Sequence, residues 1–202
     1  MGVDRIGDGD SEELVAALSA ARGGDEEGFA RLWRAWQPAL LRYLRVVVGD
    51  AAEDVASETW LQAARDLSGF TGDLLAFRVW LFRIGRHRGI DEVRRTRRRR
   101  EDVREVVPPG TDELLVPDVA LDVIEQSDTA WALELIAALP REQSEAVMLR
   151  WVAGLDVAQT AQVLGKRPGA VRVATMRGLR RLAAHPEIQA RRAGERAGTQ
   201  GV

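Results

Sequence analysis

The sequence predicts an all-α protein of two helical domains joined by an extended linker. Three observations carry this expectation. Apolar residues recur at helical spacing between residues 14 and 93 and again between 131 and 182. Acids that start helices, and glycines and prolines that stop them, punctuate both runs. Between the runs the period is lost: Pro108-Pro109-Gly110 and Pro117 interrupt it and acids dominate. The expected division is a disordered N-terminus at 1–10, a first helical domain at 11–100, an acidic linker at 101–127, a second helical domain at 128–185 and a flexible basic tail at 186–202.

Taken in order, Asp10-Ser-Glu-Glu13 has the form of a capping box before a short helix, Leu14 to Arg22, which Gly23-Gly24 stops. Asp25 caps a longer helix in which Phe29, Leu32, Trp33, Trp36, Leu40, Leu44 and Val47 recur. Pro38 inside it removes one hydrogen bond, and Gly49 ends it. Asp50-Ala-Ala-Glu53 reads as a second capping box, opening a helix to Leu67 with Val55, Trp60, Leu61 and Ala64 inward. A loop from Ser68 to Asp73 follows.

The stretch from Phe77 to Arg100 is the one the first domain is built to present. Phe77, Trp80, Leu81 and Ile84 share one face of a helix, and Val79, Phe82, Ile90 and Val93 fall on the other. A helix apolar on both sides is buried between partners. Past Arg86 one side turns polar, with His87, Asp91, Arg94 and Arg98 at i, i+4, i+7 and i+11. Six arginines and no lysine lie between Arg94 and Arg100. Arginine is the side chain for planar, bidentate contact with phosphate or guanine, so a helix rooted in a core and armed this way points to a polyanion. A solvated charged face has the same composition, but continuity with a buried helix fixes this one in place.

In the second half Asp128 is the expected cap of a helix that places Trp131, Leu135 and Leu139 on one face up to Pro140. Another helix runs from Arg141 to about Val152, and Gly154 stops it. Asp156-Val-Ala-Gln159, a capping box, then opens a short helix to Leu164; Gly165-Lys-Arg is a turn, and Pro168 begins a last helix that buries Val171 and Leu182. A short helix, a glycine turn and a longer helix carrying Arg172, Arg177, Arg180 and Arg181 form a helix-turn-helix pattern, with Lys166 and Arg167 adding positive charge at the turn.

Composition bounds what else the chain does. The net charge of −2 conceals segregation: acidic before residue 28, basic over 83–100, acidic over 101–128 and basic again from 166. There is no cysteine and only two histidines, His87 and His185, so no metal cluster or Cys/His dyad is expected. Carboxylate pairs such as Glu12/Glu13 and Glu53/Asp54 sit at helix starts, where capping and the helix dipole account for them. No glycine pattern cradles phosphates, so no catalytic site, cofactor or small-molecule substrate is expected. No apolar run is long enough to span a bilayer and no secretory signal is seen, which points to the cytoplasm.

Three stretches in this order, Asp50 to Trp60, Phe77 to Asp91 with the arginines behind it, and Leu139-Pro-Arg-Glu-Gln143 with the helix-turn-helix, resemble bacterial sigma factors. The resemblance is narrowest to the extracytoplasmic-function (ECF) group, which keeps sigma regions 2 and 4, and it covers residues 11 to 185. It implies a region 2 helical bundle at 11–100 and a region 4 helix-turn-helix at 128–185. It further implies a factor that catalyses nothing itself, binds core RNA polymerase, directs it to −10 and −35 promoter elements and promotes strand opening. Asp54, Ser57, Glu58 and Gln62 would dock on the β′ clamp helices, and region 4 would meet the β flap. Phe70, Thr71 and Asp73 in the loop, with His87, Asp91, Arg94, Arg95 and Arg98 on the adjoining helix, would hold the −10 element. His87 stands where family members often have asparagine. Lys166, Arg167, Arg172, Val173, Met176, Arg177 and Arg180 would read the −35 element, although the usual pattern places Ser-Arg at Val173-Ala174. The resemblance leaves open an anti-sigma factor as a further partner, with no membrane among them, and implies association with the nucleoid when polymerase is bound. Two competing readings share much of the pattern: a stand-alone helix-turn-helix regulator, and an arginine-rich interaction scaffold.

Overall fold

The computed structural model describes residues 8–104 and 127–191. Among these, every regular element is helical: α1 (Asp8–Arg22), α2 (Glu26–Val48), α3 (Ala52–Asp66), α4 (Leu74–Arg104), α5 (Ser127–Ala137), α6 (Arg141–Trp151), α7 (Val157–Leu164) and α8 (Pro168–Ala183). The expectations for 1–7, for 105–126 of the linker and for 192–202 of the tail lie outside the described residues. Of the described flanks, α1 already begins at Asp8, upstream of the expected box, and α4 continues four residues past Arg100. The tail's first part, 186–191, is a helical turn tied to α5, because Trp131 Nε1 donates to Glu187 at 2.6 Å and the Arg191 guanidinium lies 5.1 Å from the Trp131 ring.

The first unit packs α1 on α2 and sets α2, α3 and α4 against one another. Asp25 caps α2 by accepting from the Gly28 amide at 2.6 Å, and α2 runs through Pro38 to Gly49. Leu32, Leu40, Tyr43 and Leu44 of α2 and Phe77, Leu81 and Phe82 of α4 are fully buried. The rings pair off between helices, Trp36 with Phe77 at 5.3 Å and Tyr43 with Phe82 at 5.8 Å. Both apolar faces of α4 are indeed covered, since Phe77 and Ile84 on one side and Val79 and Phe82 on the other are all buried.

Three expectations are corrected. Trp33 is 44% exposed and Leu61 62% exposed, and Ala64 is also at the surface. The inward stripe of α3 is Val55, Ala56, Thr59, Trp60 and Ala63. Leu61 lies a hundred degrees past Trp60 and two hundred past Thr59, outside the arc of α3 that is buried. The second correction concerns Asp50: it lies in a 3₁₀ turn, Gly49–Ala51, and Ala51 occupies the cap position with no side-chain bond. The tight turn places Asp50 one residue too early to cap, and Glu53 instead pairs with Arg45 at 3.6 Å. The third is Leu182, which is only half-buried.

In the second unit the signals around the turn from α7 to α8 are realised as expected, whereas α5 already begins at Ser127, which puts Asp128 inside the helix rather than at its cap. Asp156 and Gln159 form a reciprocal capping box, each bond 2.8 Å long. Gly165 takes the left-handed conformation, φ 64°, that lets the chain turn sharply from α7 into α8. Pro168 opens α8, whose Val171 and Gly178 face inward.

Candidate nucleic-acid interface

Two basic surfaces emerge from this frame. On α4, His87, Asp91, Arg94 and Arg98 are all exposed and follow one another along the helix. Arg94 makes only a loose pair with Asp91 at 3.7 Å, whereas Arg95 is held by Glu92 at 2.7 Å on an adjacent strip. Exposed pairs of this kind contribute about 0–1 kcal/mol, so a phosphate can replace the carboxylate at little cost.

The loop ahead of α4 is more constrained than its sequence suggests. Asp73 caps α4 by accepting from the Ala76 amide at 2.7 Å. Thr71 is exposed. Phe70 is half-buried, stacked on Trp80 at 4.9 Å and edge-on to Phe77 at 5.8 Å, with the Arg22 guanidinium 5.1 Å from its ring. Arg22 also donates to the Gly72 carbonyl. Arg22 and Trp80 thus belong to this site although sequence reasoning did not name them for it. Arg22 carried no local signal, being the last residue of a short helix.

On α8, Arg172, Val173, Met176, Arg177 and Arg180 are exposed, opposite the buried Val171 and Gly178. Val173 and Met176 are thus apolar side chains exposed amid arginines. Arg167 is exposed at the α8 N-cap. Lys166 differs: its ammonium is bonded to Glu142 of α6, and that contact holds the Glu142 carboxyl below its ordinary range. It staples the turn to α6.

A third surface lies on α3. Asp54, Ser57 and Glu58 are exposed and Gln62 is half-buried. Arg88 of α4 reaches across to this face, donating to Gln62 at 3.0 Å and to Glu58 at 3.3 Å, while Ser57 bonds back to the Glu53 carbonyl at 2.9 Å. Leu61 sits three residues after Glu58 and seven after Asp54, on the same exposed face. A helical wheel would have placed it there. The result is an exposed apolar residue in line with Glu58 and Asp54 on the surface of α3. Among the described residues no cluster of His, Asp or Glu could hold a metal ion, and no helix is long and apolar enough to cross a membrane.

Comparison with known proteins matches both units. Residues 32–99 match the family model for Sigma-70 region 2, and residues 129–182 that for Sigma-70, region 4. The chain is 33% identical over 178 residues to the ECF RNA polymerase sigma factor BldN of Streptomyces coelicolor, covering 87% of this chain and 67% of the relative. It is 33% identical over 190 residues to ShbA, an ECF RNA polymerase sigma factor of Streptomyces griseus, covering 89% and 98%. In fold it is similar to the sigma factor RpoE of Bartonella quintana, solved with the anti-sigma factor NepR, with a TM-score of 0.58 at 22% identity over 77% of this chain and 94% of that one.

Proposed function

The chain belongs to the ECF sigma factors, and from that premise we propose how its surfaces divide the work of recruiting RNA polymerase to promoters. As a family member it binds core RNA polymerase and confers promoter-specific initiation. In our reading residues 11–100 form the polymerase-binding and −10-binding domain, 101–127 the tether and 128–185 the −35-binding domain. The observation that carries the assignment is the pair of exposed basic helical faces, one on each family region.

On α3, Asp54, Ser57, Glu58 and Gln62 would meet the β′ clamp helices, with Leu61 as the apolar centre. On α4, Arg94 and Arg98 would follow −10 phosphates, Arg95 would join them only by leaving Glu92, and His87 and Asp91 would face bases. Phe70, Thr71 and Asp73 would hold the melted strand. On α8, Arg172, Arg177 and Arg180 would enter the −35 major groove with Val173 and Met176 beside thymine methyls. Lys166 and Arg167 would anchor the turn. The protein would catalyse no step; opening would follow from tighter binding of the open state than of the duplex. It would work in the cytoplasm, on the nucleoid once polymerase-bound. RpoE is solved with NepR, and an anti-sigma factor for this chain is part of the proposal. Neither a stand-alone regulator nor an arginine-rich scaffold accounts for both family regions in one chain.

Run-off transcription with purified core polymerase on a promoter library tests the whole reading: discrete products are expected only when this chain is added. Core enzyme that gives the same products without it would overturn the reading. Within that assay Arg177→Ala should cost about 1–3 kcal/mol at a single −35 position. A loss spread evenly over all promoters would reassign Arg177 to the phosphate backbone.

A further inference from the structure

α1 lies outside the region 2 match, which begins at residue 32, yet its last residue reaches the loop ahead of α4. Leu14, Ala17, Leu18 and Ala21 root the helix in the core. Gly23 and Gly24 then end it, their amides donating to the Ala20 and Ala21 carbonyls at 2.9 and 3.1 Å. Arg22, the last side chain before that stop, is therefore delivered to a fixed place.

That place is the ring of Phe70. Three flat groups surround the ring: Trp80 stacked at 4.9 Å, Phe77 edge-on at 5.8 Å and the Arg22 guanidinium at 5.1 Å. Phe77 is fully buried and Trp80 is rooted in α4. Arg22 alone is a long, charged side chain that water can take back. The same guanidinium donates to the Gly72 carbonyl. Gly72 has φ 149°, and a Cβ there would stand 3.0 Å from Phe70 Cζ and 2.8 Å from Ala76 Cβ. Only glycine fits so tightly, and its fit sets ring and carbonyl within reach of one cation.

This contact is weak by construction. Arg22 Nε is hidden from water and has no acceptor. A buried donor left unpaired subtracts from whatever the cation–π contact contributes. Swung into solvent, the guanidinium is hydrated at every N–H. A nucleobase stacked on an aromatic ring is held at least as well as a guanidinium over it. Exchange of one for the other is thus close to balanced.

We propose that Arg22 is a displaceable cover on Phe70, which an unpaired base moves aside in order to stack there. The task given to the cover rests on the sigma-factor reading of the loop; the covered ring itself does not. A cover differs from a base-reading residue in one respect. Arg22 competes with every base alike, so it lowers affinity for all four by the same factor and leaves their order unchanged. A side chain that hydrogen-bonded the captured base would alter the order.

Holoenzyme assembled with the full chain is titrated with single-stranded oligonucleotides of a −10 element recovered by run-off transcription, each position replaced in turn by every base. Arg22→Ala should tighten binding by roughly two- to fivefold across the whole set. Arg22→Lys, which keeps a cation and a donor, should stay near the parent. In a Phe70→Leu background Arg22→Ala should gain nothing, because the ring it uncovers is gone. For the free chain, 4-fluorophenylalanine at the four phenylalanines reports the cover directly, the Phe70 signal being the one that Phe70→Leu removes. That signal should shift in Arg22→Ala and less in Arg22→Lys. Equal or weaker binding by Arg22→Ala, an altered order of bases, or a Phe70 signal indifferent to Arg22 overturns the proposal. If the parent holoenzyme bound none of the strands, the strand-holding reading would fail and take the cover's task with it. If it bound them and Arg22→Ala gained nothing, the cover alone would fail.

Discussion

Gly178→Val should destabilise the second helical unit by about 3 kcal/mol, enough to melt it ahead of the first. A Cβ on Gly178 would stand 2.9 Å from Val147 Cγ2 and 3.3 Å from Gln143 Cβ, with the Gln143 carbonyl oxygen at 3.4 Å. Val147 is 1% exposed and has no room to swing away, so α6 and α8 must separate. Overpacking of this kind costs about 1–3 kcal/mol and occasionally more. Gly178→Ala meets the same wall with a smaller group, and gains back up to about 1 kcal/mol of helix propensity, so it should fall between valine and the parent. The matched control is Gly169→Ala in the first turn of α8, where nothing lies within 4 Å of an added Cβ. It should leave stability unchanged or slightly raised. Urea unfolding followed by helicity orders the three variants; a valine variant as stable as the Gly169 control would show that the helices do not approach so closely.

Removing Arg94 and Arg98 together should flatten the salt dependence of promoter binding by the assembled holoenzyme. Each phosphate contact contributes about 0.9 to the slope of log affinity against log salt, so the double alanine variant should lose about 1.8. Between about 50 and 200 mM salt, that difference makes the variant roughly tenfold less sensitive than the parent. The loss at any one salt concentration should be similar on all promoters, because phosphates carry no sequence. Arg95→Ala should change the slope less, since Glu92 already holds that guanidinium at 2.7 Å. An unchanged slope in the double variant would exclude both residues as phosphate contacts. A larger change for Arg95 than for Arg98 would shift the DNA path to the adjacent strip of α4.

What was legible in the sequence followed the range of the forces involved. The turn from α7 to α8 could be read because its causes are local: Asp156 and Gln159 bond across three residues, Gly165 needs no partner to turn, and Pro168 fixes its own dihedral. The double burial of α4 was also legible, since apolar residues on both faces leave no other arrangement. The α3 start was not, because a 3₁₀ turn and a capping box present the same acid-rich stretch and differ by one residue of phase. Trp33 and Leu61 failed for another reason. Periodicity counts apolar residues, but the neighbouring helix decides which of two adjacent ones it covers. The ion pair that joins the two units was hidden altogether. Arg86 and Glu145, bonded at 2.7 Å, are 59 residues apart, and in sequence each looks like any surface charge on an amphipathic helix. Of the candidate site, the exposed arginines of α4 and α8 were legible as a pattern, whereas the restraint on Lys166 by Glu142 and on Phe70 by Arg22 came only from chain segments brought together by folding.

Phe70 shows where such restraint leads. Its ring already has an indole, a second phenyl ring and a guanidinium as neighbours, so a nucleobase arriving there finds an occupied seat. Seating it means evicting one flat, weakly hydrated group in favour of another, and the gain is the difference between two stackings rather than the whole of one. Eviction of Arg22 would also untie the Gly72 carbonyl. The first helix would thereby become a gatekeeper whose grip sets how readily an unpaired strand is admitted.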